Sequence, residues 1–189
     1  YQSGNSNTFL PVMKNDYSFV VGTAFMVQQE GGTMMLNQAT HNKLLAPSRY
    51  QSTPATAIQI ASEGKPFSDQ LFITASETGG QAYTPGVDVA KAGELGSASV
   101  PQIWTNAYNS SLCVHEAQII NGKAQYKLSI YAPVAGAYTL TSKNIPADYS
   151  LYLTQNGMIV SELSDTYTLD LSKGITTEYG LLLAEIYNS

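Results

Sequence analysis

Apolar and polar residues alternate along much of this chain. A period of two suits a strand with one face on a core and one in water, not a helix, whose apolar stripe recurs every ~3.6 residues. Tyr126, Leu128 and Ile130 fall on one side of such a run, with Lys127 and Ser129 on the other. Tyr149, Leu151 and Leu153 repeat the pattern against Ser150, Tyr152 and Thr154, and Tyr167, Leu169 and Leu171 repeat it against Thr168 and Asp170. Turn formers punctuate the runs, above all Asn121-Gly122 and Asn156-Gly157. Both central residues of a type I′ turn sit at positive φ, which Asn and Gly adopt at little cost. The pattern predicts hairpins over 112–131 and 149–163, with further strands near 17–27, 33–37, 56–62, 70–76, 100–105, 136–142 and 178–186. Strands recurring every ~8–12 residues imply an all-β fold, an antiparallel β-sandwich of jelly-roll-like or Ig-like type.

No stretch holds helical spacing for three turns, and the best helical candidate is a short turn around Val87–Gly93. Pro47 and Pro54 break 38–55, and Gly79-Gly80, Pro85-Gly86 and Gly93 break 77–99, so two long irregular loops are expected. Loops of this length carry function or cover a sheet edge. No internal repeat is present, which removes solenoids and propellers. A chain of 189 residues buries roughly 70% of its unfolded surface, so one domain is expected; two packed lobes meeting near 45–55 are the other division.

Charged residues are 12% of the chain, about half the ~25% of an ordinary domain, whereas Tyr alone supplies 13 residues. The surface is therefore built from hydroxyls and amides. Nine Lys and Arg stand against 14 Asp and Glu, and Arg49 is the single arginine. No basic stripe can neutralise phosphates, so neither nucleic acid nor an anionic membrane is an expected partner. Cys113 is alone, which excludes an internal disulfide and a multi-cysteine zinc site. No apolar run reaches the ~18 residues of a membrane span. The chain opens Tyr1-Gln2-Ser3-Gly4-Asn5 without a basic or apolar leader, as expected of a processed export substrate or a fragment of a longer exported polypeptide. Few lysines and a lone thiol fit an extracytoplasmic protein.

Nucleophilic catalysis needs a Ser or Cys beside an oriented His. The histidines are His41 and His115, and Cys113 shares a strand face with His115, where thiol and imidazole could meet. A buried thiol and a half-buried imidazole with no shared chemistry explain the spacing more simply. Walker, nucleophile-elbow, zincin and dinucleotide signatures are absent from the sequence, and neither a catalytic residue nor a cofactor is assigned. Carboxylates are plentiful, but their separation cannot be read from sequence, so a glycosidase pair stays an open alternative. Asp88 and Asp69 are a weak calcium pair, and Asp88 serves equally as a cap on the turn after it. Trp104, Tyr108 and Tyr83, with Tyr50 and Tyr152, offer flat faces to sugar rings, and the amides of Asn106, Asn109 and Gln102 could bond sugar hydroxyls. Cross-strand packing accounts for the same tyrosines. Asn109-Ser110-Ser111 is a formal glycosylation sequon.

Several segments in order carry a resemblance: Val21-Gly22-Thr23-Ala24-Phe25-Met26-Val27 followed by Thr33-Met34-Met35-Leu36-Asn37, then Ile58 to Ile60 with Asp69-Gln70-Leu71-Phe72-Ile73. Asp88-Val89-Ala90-Lys91, Gly136-Ala137-Tyr138-Thr139-Leu140-Thr141, Leu151-Tyr152-Leu153-Thr154, Asp165-Thr166-Tyr167-Thr168-Leu169 and Thr177-Glu178-Tyr179-Gly180-Leu181-Leu182-Leu183 continue it. Together, across 17–186, they resemble a family of secreted and cell-surface β-sandwich proteins of Bacteroidetes. Glu178-Tyr179 departs from that family's Arg-Phe. The resemblance implies a C-terminal or stalk portion, export by a signal peptide or lipoprotein anchor, and a non-catalytic structural or adhesive role. Glycans or other surface proteins are the expected partners, and a carbohydrate-binding module with the loop aromatics as its sugar platform is the alternative; the resemblance supplies no catalytic residues.

Overall fold

A computed structural model describes residues 55–65, 67–84, 87–92, 95–96 and 99–186. It is all-β, with no helix among the described residues. The strands are β1 (Thr56–Ser62), β2 (Ser68–Ser76), β3 (Val89–Ala90), β4 (Gln102–Ala107), β5 (Ser110–Gln118), β6 (Lys123–Ala132), β7 (Gly136–Lys143), β8 (Tyr149–Gln155), β9 (Met158–Glu162), β10 (Thr166–Leu171), β11 (Gly174–Thr176) and β12 (Tyr179–Glu185). The strands expected near 56–62, 70–76, 100–105, 136–142 and 178–186 are β1, β2, β4, β7 and β12. Those near 17–27 and 33–37 lie outside the described residues, as do 38–54 of the first loop. Around Val87–Gly93 the expected helical turn is replaced by β3. Val89 stands beside Val114 and Ala90 beside Leu112, and the Lys91 amide donates to the Ser111 carbonyl at 2.8 Å. Pairing with β5 satisfies backbone groups that so short a helix would leave open.

The strands pair in the order β10-β7-β1-β2-β5-β4-β6-β12-β8-β9, with β11 beside β6 and β3 beside β5. The sheet is mixed rather than wholly antiparallel, because β2 and β5 run parallel from Phe72 beside Val114 to Ser76 beside Gln118. A parallel pair needs a crossover of about a dozen residues or more, and 77–109 supplies it. The hairpin expected over 149–163 forms as β8–β9, with Asn156 at φ 51° and Gly157 at φ 80°. The hairpin expected over 112–131 does not form. Asn121 and Gly122 do turn at positive φ, but β4 lies between the two strands, pairing β5 through Thr105–Ala107 and β6 through Gln102–Thr105. The tight hairpin is β4–β5, turning on Tyr108 (φ 53°) and Asn109 (φ 58°).

Alternation delivers one core. Ile58 and Ile60, Leu71 and Ile73, Tyr126, Leu128 and Ile130, Tyr138 and Leu140, Leu151 and Leu153, Leu169 and Leu171, and Leu181 and Leu183 all join the same buried cluster. Tyr126 also donates its hydroxyl to the Thr74 carbonyl at 2.6 Å, tying β6 to β2. β6 joins two parts of the sheet. Its first half pairs β12, and its second half pairs β4 and β11. That second half is buried on both faces, and Ser129, expected to face water, is 3% exposed and accepts the Asn106 amide at 2.5 Å. The strands at the two ends of the order, β9 and β10, are joined only by Leu163, Ser164 and Asp165. Four residue steps reach at most ~14 Å, so the sheet bends back over its own inner face. Leu163 fastens this join: it is buried, its amide donates to the Leu151 carbonyl, and its carbonyl accepts from the Ser142 hydroxyl.

Ile60→Ala, in the centre of this cluster, is expected to cost about 2–5 kcal/mol. Ile159→Ala on exposed β9 should stay within about 0.5 kcal/mol of the parent. Urea denaturation of the two variants checks the contrast.

Candidate functional site

A cleft of about 920 Å3 opens where the β4–β5 turn, β5 and the start of β6 diverge. Alternation on β6 puts Ala124, Tyr126 and Leu128 inside and leaves Lys123, Gln125 and Lys127 outward, and these three line the cleft. Tyr108 and Asn109 enter from the turn, His115 and Gln118 from β5 and Asn121 from the β5–β6 connection. Gly80 reaches the rim from the second long loop. Its φ is +71°, and a Cβ there would stand 2.2 Å from the Gln118 amide nitrogen, so the close approach requires glycine.

His115 is 5% exposed, and its Nδ1 is shut off from water without a hydrogen-bond partner. The ring lies edge-on to Tyr108 and Tyr126, at centroid distances of 5.8 and 5.3 Å. Burial pushes the imidazole pKa below its ordinary value, against the opposing charge of Asp88. An uncharged ring therefore props the phenol of Tyr108. Burial, then Asp88 and Glu116, raise the Tyr108 hydroxyl above its usual range.

The residues that the sequence marks for sugar binding are only partly brought together. Tyr108 and Asn106 line the cleft; Trp104 and Tyr83 do not. Trp104 is 3% exposed, so its indole has no face free for a sugar ring, and its Nε1 donates to Asn106 Oδ1 at 3.1 Å. The amide of Asn106 is thus held by Trp104 and Ser129. Tyr83 sits half-buried in the loop before β3. Tyr152 lies on β8 beside Leu182, and Tyr50 is outside the described residues. Gln102 is buried and accepts the Gly96 amide at 2.8 Å.

The carboxylate oxygens of Asp69 and Asp88 have protein partners. Asp69 takes the Lys91 ammonium at 2.6 and 2.5 Å and the Ile103 amide at 2.7 Å. Asp88 is 2% exposed and accepts the amides of Thr84 and Glu116, each at 2.9 Å. It thereby pins the turn before it to β5 rather than capping a turn after it. No group of three or more His, Cys, Asp or Glu able to hold a metal occurs among the described residues. Cys113 and His115 take different partners. The Cys113 thiol faces the carbonyls of Val89 and Ala90 at 3.6 and 3.5 Å, and burial raises its pKa against the pull of Lys91. Lys123, Gln118, Gln125 and Lys127 were not marked by sequence reasoning. Alternation placed Lys127 outward, but only the chain's path carries that face to the Tyr108 turn.

Comparison with protein-family models, with curated proteins and with solved structures finds no match to this chain.

Because the folded His115 resists protonation more than the unfolded chain does, its contribution to stability is intact above about pH 6.5. It is lost as pH falls from there through the lowered folded value. His115→Phe, which keeps an edge-on ring, should melt with a weaker decline over this window than the parent, as read by thermal unfolding at stepped pH.

Proposed function

We propose that this chain is a non-catalytic β-sandwich, one domain of an exported, extracytoplasmic protein, serving as a structural or adhesive unit at the cell surface. The jelly-roll-like or Ig-like reading is supported by β6, shared between two parts of the sheet, and by the β9–β10 join, which brings the ends of the sheet together over one core. The family resemblance of its motifs supports the surface setting.

The observation that carries the structural role is the free edge at β9. This strand pairs β8 alone among the described strands. It exposes Met158 (71%), Ile159 (54%) and Val160 (41%), the most open apolar run in the described protein. Edge strands are ordinarily blunted by charged side chains, proline or a β-bulge. Met158 to Ser161 carries no charge or proline; the strand ends on exposed Glu162, and its register with β8 shifts between Leu153 and Thr154. Such an edge offers backbone donors and acceptors and an apolar surface to an added strand, the mode by which β units extend into larger assemblies.

In sedimentation velocity the protein should associate reversibly as its concentration rises. Ile159→Lys should stay monomeric while keeping the parent's melting midpoint to within the effect of a surface change. A parent that remains a monomer at every attainable concentration, or an Ile159→Lys variant that associates as the parent does, would remove the support for this reading.

A further inference from the structure

The cleft beside the β4–β5 turn is separate from the β9 edge, and its construction does not follow from packing needs alone. Tyr108 occupies the left-handed region at φ 53°, where a bulky residue is strained. Glycine would remove the strain. Behind it, His115 keeps Nδ1 buried and unpartnered, an arrangement that ordinarily carries a penalty. The fold accepts both penalties to hold one phenol ring at the rim of an open cleft, with the imidazole edge against it at 5.8 Å.

Around that ring the lining is amide and hydroxyl, chiefly Asn109, Gln118, Asn121, Gln125, Ser110 and Ser111. Amides both donate and accept, as the hydroxyls of a sugar do. Lys123 and Lys127 add two positive charges. No Asp or Glu among the described residues lines the cleft, so these two ammonium groups set the charge of its wall. A flat ring flanked by amides suits the apolar face and rim hydroxyls of a pyranose.

We propose that this cleft is a binding site for a glycan, with Tyr108 as the stacking platform, His115 as the positioning residue behind it, and Gln125 and Asn109 as hydroxyl partners. The sequence-marked aromatic Trp104 has no part in it.

The test uses the full chain carrying Ile159→Lys, so that failure of edge association leaves the result untouched. Neutral glucose-, galactose-, mannose- and N-acetylglucosamine-based oligosaccharides are titrated while backbone amide resonances are followed, alongside a uronate-bearing oligosaccharide. At least one of these oligosaccharides should give saturable shifts confined to 106–111, 115–118 and 121–127. Tyr108→Gly should raise the melting midpoint yet weaken binding at least tenfold, and Gln125→Ala should weaken it several-fold with stability unchanged. A merely structural tyrosine would not show that opposition of stability and binding. The proposal is overturned if no oligosaccharide shifts these resonances, or if Tyr108→Gly binds as tightly as its parent.

Discussion

A strand can bury only every second side chain, so strands spread along one sheet reach a common core only if that sheet curves back over its inner face. This constraint organises the molecule. It turns the alternation of Ile58 and Ile60, Leu128 and Ile130 or Leu151 and Leu153 into one apolar cluster, and it requires β9 and β10, last at either end of the pairing order, to meet through three residues. Leu163 does two jobs at that join: its side chain enters the cluster, and its backbone takes a bond from each side, at Leu151 and Ser142.

The second long loop is part of the same solution. Its described residues are fastened at intervals by polar groups. Gly79 donates its amide to the Ser76 hydroxyl, Asp88 takes amides from Thr84 and Glu116, Lys91 pairs with Asp69, and Gly96 donates to Gln102. Two carboxylates and a long amide that resemble site residues in the sequence are thus spent on holding the crossover of a parallel strand pair. Their burial, with partners found, is what a covered loop demands.

Strand existence was legible because it is local. The runs of β1, β7, β8, β10 and β12 carry their own alternation, and Asn156-Gly157 names its turn, whereas β3 and β11 are too short to alternate and were not expected. Partner choice was not legible. Asn121-Gly122 has the chemistry of a hairpin turn and adopts its backbone, yet β4 takes the place between β5 and β6. The hairpin that does form turns on Tyr108-Asn109, and nothing about a tyrosine announces a left-handed turn. The aromatic site was half legible for the same reason. Tyr108 reaches the cleft, whereas Trp104 is buried beside Ser129 of β6, and Gln125 and Lys127 arrive only through the path of β6.

The β9 edge and the Tyr108 cleft are the places where this protein departs from the rule that apolar surface and strained backbone are avoided, and they lie on different parts of one scaffold. Both depend on the sheet folding as a single unit around its core. Native-state hydrogen exchange in rising denaturant tests that dependence most directly. The account requires buried amides of β1 and β7 to open together with those of β8 and β12, by one global event with one denaturant slope. Two groups of amides, with β8 and β12 opening independently of β1 and β7, would contradict it.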